Sequence, residues 1–219
     1  MPQPKTTETR AYLYNIVYEP AFLHGLSDTP PDAVEKLNAY HPLLEEDPAG
    51  CIPELMELCR QYPAVPQFKN YLCVAYQYLG NKEKATEVND WTMREHPDYL
   101  FAKLYKAYEY ISINQHKKVL ELLGPWLEIK ELYPERDIFH AAEILAFYKL
   151  AFHYHLAMDN FEIARSQLQM MDTVDPDHPD TKSIRMRILL EEANIRRKDV
   201  LDNSRKDMYS FARPKKRKG

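Results

Sequence analysis

Glycine is scarce in this chain, at 5 of 219 residues, while proline reaches 16. So few glycines argue against a phosphate-cradling loop and against a turn-rich all-β protein. There is no run of 18 apolar residues, so a membrane span is not expected. The polar start, Met1 to Glu8, lacks the apolar core of a signal peptide, which argues against secretion. Cysteine is limited to Cys51, Cys59 and Cys73, an odd number without CxxC spacing. Each stands in an apolar pattern, as buried, reduced thiols do. His-Glu-x-x-His, Gly-x-Ser-x-Gly and the phosphate-loop motif are all missing. The histidine pair His153 and His155 is spread about 200° around a helix and cannot chelate one metal. No catalytic residue, metal site or cofactor is expected.

What is present is punctuation. Pro63, Pro97, Pro134 and Pro176 each follow an apolar, helix-like run, at intervals of 34, 37 and 42 residues. Proline cannot continue a helix, and it pushes the residue before it out of the helical region. The pattern between these marks predicts helices over about 32–46 and 51–62, 66–79 and 82–95, 98–113 and 116–132, and 135–157 and 161–174. Gly80-Asn81, Asn114-Gln115 and Asp159-Asn160 supply the turns within the later pairs. Pro42 is expected to kink the first helix, and Gly124-Pro125 to bend the sixth. Residues 11–18 are ambiguous between helix and strand. A last helix over about 179–205 thins from Ile184, Ile188, Leu189, Ala193 and Ile195 into charge, as a capping helix with one packed and one wet face would.

The second pair carries Lys69-x2-Leu72-Cys73-x2-Tyr76, then Ala85 and Pro97; the fourth carries Tyr148-x2-Ala151-Phe152-x2-His155, then Ala164 and Pro176. A small residue stands twelve before the proline in three pairs, as Cys51, Ala85 and Ala164, where one helix must cross its neighbour closely. Over about residues 32–177 this resembles the tetratricopeptide repeat family. The second pair resembles it best, and no Trp stands at the pattern's first position. The resemblance implies an all-α, right-handed solenoid of antiparallel helix pairs. Residues 1–31 would be an N-terminal extension, 178–205 the capping helix and 206–219 a basic, mobile tail.

The resemblance also implies a binding module for a peptide or partner helix, in a groove lined by the first helix of each pair. The matching residues are Asn70, Gln77 and Tyr78 from the second pair, Tyr105 and Tyr108 from the third, and Lys149 and His153 from the fourth. The subclass that clamps chaperone carboxylates uses a Lys-Asn pair; Asn70 and Val74 stand there, so that clamp is absent. The content of 16 tyrosines suits a contact surface, because Tyr offers area at low entropic cost.

Charge is unevenly placed. From Arg196 onward ten Lys/Arg and three Asp give +7, so the remainder carries −11 of the net −4. The end holds Arg213, Lys215, Lys216, Arg217 and Lys218, which resembles a monopartite nuclear address. It would equally serve as a nucleic-acid contact, fold back on the acidic body, or do nothing. The first expectation is therefore a cytoplasmic, non-catalytic interaction scaffold. The alternative is a nucleic-acid-associated protein using the tail, nuclear in a eukaryotic host. No membrane partner is expected.

Overall fold

The computed structural model describes residues 13–19 and 29–211, except the side chains of 199 and 202–211. These residues form β1 (Asn15–Val17), α1 (Pro31–Glu46), α2 (Pro48–Gln61), α3 (Pro66–Tyr78), α4 (Lys82–Glu95), α5 (Leu100–Ser112), α6 (His116–Leu123), α7 (Ile129–Leu132), β2 (Ile138–His140), α8 (Ala141–Ala157), α9 (Phe161–Val174) and α10 (Pro179–Phe211). The chain is mostly helical. Neighbours pack in order: α1 on α2, α2 on α3, α3 on α4, α4 on α5, α5 on α6 and α8, α8 on α9, and α10 on α8 and α9. Among the described residues no helix is long and apolar enough to cross a membrane.

The turns repeat. Tyr62, His96, Tyr133 and Asp175, each immediately before a marker proline, all donate their backbone N–H four residues back, at 2.7–3.1 Å. Each then accepts from the residue three ahead: Val65, Tyr99, Arg136 and His178. The three later within-pair turns match one another as well. Gly80, Asn114 and Asp159 take positive φ of 70°, 57° and 56°. The next residue in each closes a 6→1 bond: Asn81 to Tyr76, Gln115 to Tyr110 and Asn160 to His155, at 2.8–2.9 Å. That bond is the Schellman ending, in which a left-handed residue satisfies orphan carbonyls. The first pair is joined differently: the Asp47 carboxylate accepts from Gly50 N–H at 2.9 Å and caps α2 directly. Pro42 lies inside α1, which nevertheless continues to Glu46.

Three expectations are corrected. The helix expected over 116–132 is broken rather than bent, because Gly124 takes φ +90° and Pro125 has no N–H to continue the ladder; it resumes only as the short α7. The helix expected from 135 begins at Ala141. Before it, β2 pairs in parallel with β1, Asn15 opposite Ile138, so Asn15–Val17 of the ambiguous N-terminal stretch is strand. His140 and Glu143 form a reciprocal capping box that starts α8 there. Finally, α10 runs to Phe211, past the expected end at 205, so residues 206–211 are helical. The tail cations Arg213 to Lys218 lie outside the described residues, as do residues 1–12.

The core has two parts, one under α1–α4 and one under α5–α10 with β2. Asn89 joins them by donating to the Ala102 carbonyl at 3.1 Å, as does Tyr133 by donating to the Asp98 carbonyl at 2.8 Å. Lys69, fully buried, links two proline turns. Its ammonium donates to the Pro63 carbonyl at 2.9 Å, pairs with Glu95 at 3.1 Å and lies over the Trp91 ring. All three cysteines are buried and free. Ala85 and Ala164 are both completely buried. The Cys73 thiol on α3 reaches the Ala85 carbonyl on α4 at 3.3 Å, so the helices approach closely there. Ala85→Leu should overpack this crossing, and Ala164→Leu the packing of α9 on α8, each at a cost of about 1–3 kcal/mol. Thermal melts would check this; a neutral result for either would show that the crossing has room.

Candidate functional site

Apolar spacing along α1 puts Val34, Leu37, Asn38 and His41 on one face, and the same logic puts Gln67, Asn70 and Tyr71 on one face of α3. These faces line a cavity of about 550 Å³, with Phe101 at the start of α5, Ala142 at the start of α8, and Tyr18 just after β1. Each of the first helices of the four pairs thus contributes. None of the lining residues carries a formal charge, and the amides of Asn38, Gln67 and Asn70 stand among aromatic rings. The edge of His41 meets Tyr71 with centroids 6.3 Å apart. His140 closes one end. Its Nδ1 accepts from Ala142 N–H at 3.1 Å, so its Nε2 carries the proton and donates to the Tyr18 carbonyl at 3.1 Å.

A second cavity, of about 780 Å³, lies near the other ends of α3 and α5. Gln77 follows Asn70 by seven residues, two helical turns or about 10 Å further along the same face of α3. Gln77, Tyr105 and Tyr108 line this cavity together with Lys82, Lys106, Glu109 and Lys118, with Lys106 paired to Glu109 at 2.6 Å, so it carries charge where the first is neutral.

The residues singled out in the sequence therefore divide. Asn70 lines the neutral cavity, while Gln77, Tyr105 and Tyr108 line the charged one. Tyr78 is exposed beside the Gly80 turn and lines neither. Lys149 is held by Asp180 of α10 at 2.6 Å. His153 sits next to it, edge-on to Tyr108 at 5.9 Å; burial, then the charges of Lys149 and Arg187, lower its pKa. Tyr108, Lys149 and His153 thus meet at a seam that α10 covers. The Tyr108 hydroxyl is buried there without a hydrogen-bond partner, and burial raises its pKa. Sequence reasoning missed Tyr18, Asn38, His41 and Tyr71. His41 and Asn38 were findable, since they follow Val34 and Leu37 at helical spacing. Tyr18 was not, because only the pairing of β1 with β2 brings it to the site.

A third cavity, of about 460 Å³, contains a hydrogen-bonded chain. The Tyr148 hydroxyl donates to the Glu128 carboxylate at 2.8 Å and lies 3.1 Å from the Tyr14 hydroxyl. Burial raises the Glu128 pKa. This chain fastens the N-terminal strand to α8. Burial raises the pKa of all three cysteine thiols, that of Cys59 and of Cys73 to about 11. Among the described residues no group of three His, Cys, Asp or Glu could hold a metal ion. Comparison of the chain with protein-family models, with curated proteins and with solved structures finds no match.

Proposed function

We propose that this chain is a protein-interaction scaffold of the tetratricopeptide-like kind, a right-handed stack of helix pairs that holds an extended, uncharged peptide segment. The observation that carries this reading is the neutral cavity shared by the first helices of the four pairs. The repeated turns described above support the helix-pair reading. The chemistry of the cavity selects the partner. Aromatic faces accept apolar side chains, and carboxamides satisfy both the donor and the acceptor of a passing backbone. Without a charged lining group, a charged side chain entering the cavity would lose hydration and gain no counter-charge.

Selection of displayed random peptides on the full chain tests the proposal. Selected peptides should be poor in Asp, Glu, Lys and Arg, and their affinity should change little with salt. Asn38→Ala and Asn70→Ala should each weaken binding by about fivefold, as loss of one net hydrogen bond of about 1 kcal/mol does, with the melting temperature nearly unchanged. Peptides that bind but ignore both replacements would place the interaction elsewhere and sink the reading.

A further inference from the structure

Helix α10 is apolar on two opposite sides. Thr181, Ile184 and Ile188 form the buried side, against α8 and α9. At 100° per residue, Met186, Leu189, Leu190, Ala193, Val200 and Leu201 all fall within about 60° of one line on the opposite side. All six are exposed; Leu189, Leu190 and Val200 stand at 53%, 54% and 64%. This corrects the expectation that Leu189, Ala193 and Ile195 share the packed face with Ile184 and Ile188, since all three are exposed. Scattered surface leucines need no explanation, but an aligned stripe of this kind marks an interaction site. From Ala193 to Lys198, and at Val200 and Leu201, every side chain is exposed, so this stretch of α10 lies at the surface of the body. A helix without packing partners is marginal in water.

We propose that a second copy of this chain covers the stripe, with the two α10 helices antiparallel about a two-fold axis near Asn194. The pattern is self-complementary when reversed. In that register Leu189 of one copy meets Val200 of the other, and the symmetry makes the contact twice. On the flank of the stripe, Glu192 meets Arg196 of the second copy, again twice. Glu192 is available for this: its contacts within the chain, to Arg165 and Arg196, are long at 3.6 and 3.5 Å. Arg197, the one charged residue in line with the stripe, lays its aliphatic stem over Leu190 of the second copy and keeps its guanidinium in water. The arrangement leaves the neutral cavity free, since no residue of α10 lines it.

Light scattering on the full chain across a concentration series is the test. The expected mass at high concentration is twice 25.9 kDa. Leu189→Glu should raise the dimer dissociation constant by about a hundredfold, because the change enters the interface twice, while far-UV helicity of the body is retained. Glu192→Arg and Arg196→Glu should each weaken the dimer, and the double variant should restore it. A mixture of Leu189→Cys and Val200→Cys chains should cross-link to each other and neither to itself. A wild type that stays monomeric throughout overturns the proposal. So does a monomer that co-sediments with anionic lipid vesicles through the same stripe, which would make a bilayer the occupant. Cross-linking of either Cys variant to itself would overturn the antiparallel arrangement.

Discussion

Arg136→Ala should destabilise the protein by about 3–5 kcal/mol, the usual cost of breaking a buried ion pair by removing one member. Arg136 meets the fully buried Glu143 in a two-point contact, at 3.0 and 2.8 Å. A two-point guanidinium–carboxylate contact is among the strongest side-chain hydrogen-bonded arrangements. The guanidinium also stacks on Phe139, 4.5 Å from the ring centre. Glu143 in turn accepts from His140 N–H at 2.9 Å, the bond that starts α8. Removing the arginine leaves the carboxylate buried without its counter-charge and uncovers Phe139. Arg136→Lys should fall between, since it keeps a charge but loses the planar two-point geometry. Urea unfolding followed by circular dichroism reads the effect. A loss below about 1 kcal/mol would mean that water reaches Glu143 and the pair behaves as a surface one.

The second large effect is a loss of stability in acid that one residue accounts for. His155, near the end of α8, is buried at 8% exposure, its Nδ1 has no hydrogen-bond partner, and burial lowers its pKa from 6.5 to about 4. Above about pH 6.5 the ring is neutral in both folded and unfolded chains and has no pH effect. Between 6.5 and 4 the unfolded chain takes up a proton that the folded chain refuses, so stability falls as pH falls. A displacement of that size corresponds to about 3 kcal/mol once pH 4 is reached. His155→Leu keeps the site filled and removes the titration. Carboxylates also titrate in this range, so the informative quantity is the difference between the two proteins. The wild type should lose about 3 kcal/mol more than His155→Leu between pH 7 and pH 4. Parallel curves for the two would show that the imidazole is protonated in place and hydrated.

The legible and illegible parts of the fold separate by the range of the forces involved. Tyr62-Pro63, His96-Pro97, Tyr133-Pro134 and Asp175-Pro176 end their helices through a steric clash between adjacent residues. A single residue can therefore be read from a single chain. Asn114 and Asp159 adopt the left-handed turn as Gly80 does, because short polar side chains tolerate it, and they too were readable. Gly124-Pro125 was visible, but its strength was underestimated, since Leu127 also takes positive φ and the interruption lasts several residues. The strand at Ile138–His140 was hidden, because its partner Asn15–Val17 lies more than a hundred residues away.

The candidate site divides along the same line. Asn70 and Gln77 share a face of α3 by helical periodicity alone, and the sequence determined that without help, along with the ends of α3, α4 and α9 and the burial of Ala85 and Ala164. The tertiary structure decided which faces meet another element. It turned Lys149 from a groove residue into the partner of Asp180, brought His153 and Tyr108 to one covered seam, placed Tyr18 in the same cavity as His41, and left Leu189 and Val200 exposed on α10. Helix starts and stops depend on backbone sterics within a few residues, whereas the covering of a face depends on side chains that chain folding brings together from distant segments.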